Sequence, residues 1–179
     1  NDQVKLDQIP QAQSSLISFN PKTGEMLSYV GGSVFNDSQF DRVRQSYPQS
    51  GSVFKPFIYA SAFSGGYNPS SLINDAPIIF EDENLETFWR PENYSGKFYG
   101  LTTLREALVQ SINIVSIKLL REIGVKKSSE TIDNFGFGSE RLPQDLSLAL
   151  GSGNFSPAEV ARGFSVFAND GMISDIHYV

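Results

Sequence analysis

The segment QSGSVFKPFIYASAF, Gln49–Phe63, predicts the helix around which the rest of the chain is arranged. A polar, Gly-containing start is followed by an apolar run, and the SGGYNP sequence after Phe63 ends the helix. Ser52 and Lys55 are three residues apart, so they lie on one face of this helix and their polar atoms can meet. We expect four apolar side chains to pack around the pair: Val53, Phe54, Phe57 and Ile58.

Ser52 and Lys55 together can carry out nucleophilic catalysis. A serine hydroxyl is a weak nucleophile until a base takes its proton, and burial can lower the pKa of a lysine amine to the roughly 7–8 that such a base needs. His177 is the only histidine, and nothing marks it as a partner of the serine. The free N–H groups at the helix start would also face a developing oxyanion. The alternative is structural: a serine that caps a helix and a solvated lysine.

Composition excludes several other classes of function. The 179 residues fit one domain or part of a larger one, and a hydrophobic fraction of 40% supports a core. The net charge is −6 and no run of Lys or Arg is present, which argues against nucleic-acid binding. The absence of cysteine excludes thiolate chemistry, and we predict no cofactor or metal. The start NDQVKLDQIPQAQ is not a signal peptide, so we expect the numbering to begin inside a longer protein.

The order of predicted elements favours an α+β fold. SSLISF and MLSYV flank the turn sequence NPKTGE, which predicts a hairpin of Ser14–Phe19 with Met26–Val30. Asn74–Tyr99 is interpreted as loop and edge structure in which PIIF can form a strand. The remaining predicted elements are helices: Thr103–Ile123, Ser128–Phe135, and a last helix that a capping box opens at Ser156 and that runs to about Asn169.

The S-x-N pattern occurs three times, and one copy interrupts a predicted helix. Ser111-Ile112-Asn113 lies inside the apolar helical pattern LREALVQSINIVSIKLLREIG. Positions two apart on an unbroken helix face nearly opposite sides, so a shared site requires a break, which we predict near Gln110. The alternative is one continuous helix. We assign turn or loop roles to the other copies and to the single K-T-G: Ser18-Phe19-Asn20, Ser152-Gly153-Asn154 and Lys22-Thr23-Gly24.

The S-x-x-K and S-x-N motifs lie within longer segments that resemble the transpeptidase domain of class A, bifunctional penicillin-binding proteins. These include SQFDRVRQSYPQSGSVFKPFIYASAF, WRPENYSGKFYGLTTLREALVQSINIV and LSLALGSGNFSPAEVARGFSVFANDG, and the likeness runs from about Gln11 to the end. The resemblance implies the penicillin-binding and serine β-lactamase-like fold, an antiparallel sheet flanked by helices. It implies four roles, namely nucleophile, base, proton relay and substrate-binding amide, for Ser52, Lys55, Ser111 and Asn113 respectively.

The same resemblance implies the substrate and the alternatives. The substrate would be a peptidoglycan stem peptide that ends in D-Ala-D-Ala, and β-lactams would acylate Ser52. One alternative is a DD-carboxypeptidase or β-lactamase on this scaffold. A β-lactamase is disfavoured because Glu140 and Asp145 lack the companions needed to activate water. A second alternative is a penicillin-recognising module without catalysis.

The family's third motif, K-T/S-G on a strand downstream of S-x-N, is not found before Val179. We therefore predict that residues 1–179 are a partial transpeptidase domain, truncated before that strand, which exposes an apolar face and is completed by residues elsewhere. The family implies a preceding glycosyltransferase domain and a membrane anchor, and hence a location outside the cytoplasmic membrane.

Overall fold

The computed structural model describes residues 12–36, 38–82 and 87–178. It divides into two compact units, one formed by Asn1–Tyr47 with Ser156–Val179 and the other by Pro48–Phe155. Both units combine helices with short antiparallel strand pairs, which confirms the predicted α+β class. The strands described form three separate two-stranded sheets.

The first unit contains the predicted hairpin and the last helix. Strand β1, Leu16–Phe19, pairs antiparallel with β2, Met26–Val30, so β1 begins two residues later than predicted. The Asn20 side chain accepts the N–H groups of the next turn, including that of Lys22 at 2.9 Å, which confirms the turn role of the K-T-G sequence. Helix α5, Pro157–Ala168, begins with the predicted capping box.

The hairpin leaves large apolar side chains in solvent. Leu16, Leu27 and Val30 are 52%, 63% and 49% exposed. Leu16 and Val30 are opposite each other in the strand register, so their side chains lie on one face of the hairpin.

The second unit contains a cluster of buried phenylalanine rings and four α-helices. The helices are α1, Lys55–Ser64; α2, Leu104–Val109; α3, Asn113–Ile123; and α4, Val125–Asp133. Phe54 stacks on Phe155 with ring centroids 5.6 Å apart, and both rings meet Phe137 at about 5 Å. These buried rings fix the start of α1, because Phe54 immediately precedes it.

Two strand pairs in the second unit were not predicted as such. β3, Leu72–Asp75, pairs antiparallel with β6, Gly100–Thr103, and β4, Phe80–Asp82, pairs with β5, Thr87–Trp89. The predicted loop region thus contains strands, and of the PIIF sequence only the last residue is in one. Most of the acidic EDENLE sequence lies outside the described residues.

Candidate active site

Lys55 is buried at the first turn of α1, where its side chain is 1% exposed. Its Nζ donates to the Ser111 carbonyl oxygen at 2.6 Å, to Ser111 Oγ at 3.0 Å and to Asn113 Oδ1 at 2.7 Å. Desolvation by burial lowers the pKa of the Lys55 amine to about 8. The amine therefore reaches its neutral form at a much lower pH than an exposed lysine.

A break between α2 and α3 brings Ser111 and Asn113 to the same amine. Helix α2 ends at Val109 and α3 begins at Asn113, which confirms the break predicted near Gln110. Ser111 has a φ of +54°, a left-handed conformation that costs an L-residue roughly 1–2 kcal/mol. This conformation lets residues two apart in sequence point to one place, which no continuous helix allows.

Ser52 lies in a 3-10 turn, Gly51–Phe54, directly before α1, so the α-helix begins later than predicted. The serine is exposed and is not the cap of either helix, because the cap positions are Ser50 and Phe54. Its hydroxyl has no hydrogen bond to the described part of the chain, and so none to Lys55. The physical reason is that an ammonium has three donors, and Ser111 and Asn113 occupy all of them.

The surroundings of the pair differ partly from those expected from the sequence. Phe54, Phe57 and Ile58 are buried, whereas Val53 is 53% exposed and does not shield the amine. The reason is that a 3-10 turn distributes residues over its faces differently from an α-helix. The structural alternative, a capping serine with a solvated lysine, is contradicted by the burial of Lys55.

The turn that carries Ser52 is held by backbone hydrogen bonds from the segment Gly151–Phe155. Ser50 N donates to Gly153 O at 3.0 Å, and Gly51 N donates to Gly151 O at 2.9 Å. The third S-x-N copy lies in this segment, and its Ser152 hydroxyl bonds with that of Ser147, which agrees with a loop role. Sequence patterns gave no signal of this pairing between segments about a hundred residues apart.

Gly151→Ala is expected to destabilise the protein by more than about 2 kcal/mol, because strain and overpacking add. Gly151 has a φ of +70°, and a Cβ there would lie 1.9 Å from the Gly51 carbonyl oxygen. The measurement is the free energy of unfolding from denaturant titration. Gly96→Ala is the matched control, because Gly96 has a φ of +66° and open space around it. Equal destabilisation by both substitutions would show that the close approach is unimportant.

A third segment, the WRPENY sequence of residues 89–94, supports the site. Asn113 Nδ2 donates to the Glu92 carbonyl oxygen at 2.9 Å. The N–H groups of Asn113 and Ile114 donate to Asn93 Oδ1 at 3.0 and 3.1 Å. The WRPENY sequence therefore contacts the start of α3 through two adjacent residues.

The described residues offer neither a cluster of metal ligands nor a membrane-spanning helix. No group of three or more His, Cys, Asp or Glu side chains among them could hold a metal ion. None of their helices has the length and apolar character of a membrane span.

Comparison with known proteins identifies the family. The model of the penicillin binding protein transpeptidase domain matches residues 15–179. Penicillin-binding protein 1A of Pseudomonas aeruginosa is 49% identical over 168 residues, which are 94% of this chain and 20% of that protein. Penicillin-binding protein 1A of Escherichia coli K12 is 39% identical over 174 residues, 97% of this chain and 20% of that one. The chain thus spans about a fifth of these relatives' length.

Solved structures agree with the sequence comparison. The crystal structure of penicillin-binding protein 1A from Haemophilus influenzae superposes with a TM-score of 0.87 at 38% identity, over 91% of this chain and 24% of that one. PonA1 from Mycobacterium tuberculosis, solved in complex with penicillin V, has a TM-score of 0.79 at 20% identity, over 93% of this chain and 47% of that one, and shares the fold. The chain therefore belongs to the family of penicillin-binding protein transpeptidase domains.

Proposed function

We propose that this chain supplies the acylation machinery of a peptidoglycan DD-transpeptidase, with Ser52 as the nucleophile. The observation that carries the proposal is the buried Lys55 amine, held by Ser111 and Asn113 one turn from an exposed serine. Nucleophile, base and relay are the parts that acyl transfer by a serine requires. Ser52, Lys55 and Ser111, to which we assign these parts, lie within one unit of the fold.

In the first half-reaction, Ser52 Oγ attacks the carbonyl carbon of the penultimate D-Ala of a stem peptide. The neutral Lys55 amine takes the hydroxyl proton, either directly or through Ser111 Oγ, which lies 3.0 Å from Nζ. The C–N bond then breaks, and the departing D-Ala amine receives that proton from Lys55 through Ser111. The products are an ester on Ser52 and free D-Ala.

In the second half-reaction, the amine of a neighbouring stem peptide attacks the ester carbonyl. A new amide bond forms, the Ser52 C–O bond breaks, and the proton lost by the attacking amine returns to Ser52 Oγ through Lys55. Asn113 keeps Lys55 in place through Oδ1 and binds the side-chain amide of the donor peptide. A β-lactam follows the first half-reaction only, because its ring opens without a departing group.

The initial hydrogen-bond arrangement requires the ammonium to lose a proton before it can act as a base. Three acceptors surround Nζ, and a charged amine can satisfy all of them. A neutral amine keeps two donors and gains one lone pair, which frees one direction for Ser52. Deprotonation and the approach of the nucleophile are therefore linked.

The acylation rate is expected to rise with pH and to level off above about 8, because the reactive form of Lys55 is the deprotonated one. Well below that value, each pH unit changes the neutral fraction about tenfold. Stopped-flow acylation by a penicillin between pH 6 and 9.5 measures this dependence, and the drug's own carboxylate stays ionised throughout. A flat profile would contradict a lysine base.

The direct test is to treat the protein that carries this chain with a fluorescent penicillin and to map the labelled peptide by mass spectrometry. We expect one adduct, on Ser52 in the sequence QSGSVFKPFIY. Incubation with a D-Ala-D-Ala stem peptide and an amine acceptor then distinguishes the alternatives. Cross-linked product supports the transpeptidase, and hydrolysed peptide alone supports the carboxypeptidase. Rapid release of opened drug supports a β-lactamase, and no adduct supports a module without catalysis.

We further propose that residues outside this chain complete the site and cover the exposed apolar side chains of the hairpin, Leu16, Leu27 and Val30. The proposal retains the predicted assignment of residues 1–179 to a partial transpeptidase domain, with the K-T/S-G strand located elsewhere. A glycosyltransferase domain, a membrane anchor and an extracytoplasmic location belong to the same proposal. Partial proteolysis and labelling of the intact protein test whether these parts form one polypeptide.

A further inference from the structure

Asn93 is buried, with 6% of its surface exposed, and its side-chain amide makes five hydrogen bonds. Its Nδ2 donates to both oxygens of Asp75, each at 3.0 Å, and to the Lys97 carbonyl oxygen at 2.8 Å. Its Oδ1 accepts the N–H groups of Asn113 and Ile114. The amide orientation is fixed chemically, because a carboxylate can only accept and a backbone N–H can only donate.

These bonds cap α3 from outside the helix. The cap position, Ile112, has no side-chain cap hydrogen bond, so the first N–H groups of α3 depend on another segment. Asn93 Oδ1 reaches two of them from about twenty residues away in sequence. Asn93 therefore caps the start of α3 and fixes the position of its first turn.

Asp75 places a carboxylate behind this cap. It is 1% exposed, and its Oδ2 also accepts the N–H of Tyr99 at 2.9 Å. Because Asn93 lies between the carboxylate and the helix, the negative charge polarises the amide toward the positive end of the α3 dipole. Asp75 ends β3, whose pairing with β6 anchors the carboxylate to a strand rather than to a loop.

Glu92, the residue before Asn93, fixes the orientation of the Asn113 side chain. The Glu92 carbonyl oxygen accepts Asn113 Nδ2, so Oδ1 of that amide must point the other way, toward Lys55 Nζ. The Glu92-Asn93 dipeptide thus determines both the backbone position and the amide orientation of Asn113. Any displacement of this dipeptide changes the surroundings of the Lys55 amine.

We infer that Asp75 and Asn93 are positioning residues for acyl transfer, which hold Asn113 and the start of α3 against Lys55. This role rests on the proposed function. It predicts that loosening the pair admits water to the amine, whose low pKa comes from desolvation, and so moves the pH dependence of acylation upward. A purely structural role would lower the active fraction equally at every pH.

The test measures penicillin acylation against pH, together with the thermal midpoint, for four variants of the protein that carries this chain. Asn93→Ala removes the cap and is expected to slow acylation about 10²-fold. Asn93→Asp places a second carboxylate beside that of Asp75 and is expected to slow acylation at least as much as Asn93→Ala. Adding Asp75→Asn to Asn93→Asp restores a hydrogen-bond donor between the two positions. The double variant should therefore be acylated at least tenfold faster than Asn93→Asp. Ile117→Val is the matched control, because Ile117 is fully buried in the same helix.

The expected result is an upward shift of the pH midpoint in both Asn93 single variants, with recovery in the double variant and no shift in Ile117→Val. Unchanged pH midpoints, or a double variant no faster than Asn93→Asp, would overturn the inference. If Asn93→Ala does not fold, the pH midpoint and acylation rate of Asn93→Asp, compared with those of the double variant, still test the positioning role. A wild-type protein without an adduct on Ser52 would instead overturn the proposed function, and this role with it.

Discussion

Ser52→Ala is expected to abolish covalent labelling by penicillin while leaving the fold and its stability unchanged. The hydroxyl is the only group proposed to form the ester, so its removal leaves no atom for the bond. The side chain is exposed and has no hydrogen bond to the described residues, so the folded state loses no hydrogen bond to that part of the chain. Surface substitutions of this kind usually change the free energy of unfolding by less than about 0.5 kcal/mol.

Gel fluorescence and intact mass measure the loss of label, and circular dichroism measures the fold. Ser50→Ala is the matched control from the same turn, since Ser50 Oγ donates to Gly153 O at 3.2 Å but has no proposed chemical role. Label that persists in Ser52→Ala would show that another residue is acylated, and label that is lost equally in Ser50→Ala would show that the loss does not depend on the Ser52 hydroxyl itself.

Lys55→Arg is expected to reduce acylation of Ser52 by about 10²–10⁴-fold, although it retains the positive charge. A guanidinium keeps its proton at every pH at which the protein is folded, so it cannot serve as a base. It is also larger than an ammonium, and the three acceptors around Nζ are spaced for a compact donor. The prediction separates proton transfer from simple electrostatic attraction.

Lys55→Met completes this test, because it removes both the charge and the proton acceptor. We expect the same loss of acylation as for the arginine variant, measured as the second-order rate constant with penicillin. Lys126→Met, at an exposed position of α4, should retain the wild-type rate and controls for net charge. An arginine variant with more than about a tenth of the wild-type rate would mean that the charge of residue 55, not its basicity, matters.

Local sequence signals predicted the parts of the molecule that local physics determines. The hairpin follows from a Pro/Gly turn between two short apolar segments, and the start of α5 follows from a capping box. The break before α3 was predictable because Ser111 and Asn113 are weak helix formers in an otherwise apolar pattern. These features depend on residues within a few positions of each other.

The parts that could not be predicted depend on contacts between distant segments. Nothing in the sequence indicates that β3 pairs with β6, that Gly151 lies against Gly51, or that Asn93 caps α3. The asparagine of WRPENY looks like an ordinary loop residue until the four residues that its side chain bonds to are in place. The chemical roles proposed for the site residues come from the resemblance to a family. The structure adds which atoms of Ser111 and Asn113 contact the Lys55 amine.

The left-handed conformation of Ser111 links the secondary structure of this region to its electrostatics. An L-serine does not favour that conformation on its own, and two hydrogen bonds from Lys55 hold it. On an unbroken helix Ser111 and Asn113 would face nearly opposite sides, so the contacts of both residues with Lys55 require the break. Burying the amine and kinking the chain are consequently a single cooperative event, so a half-assembled site is also an unreactive one.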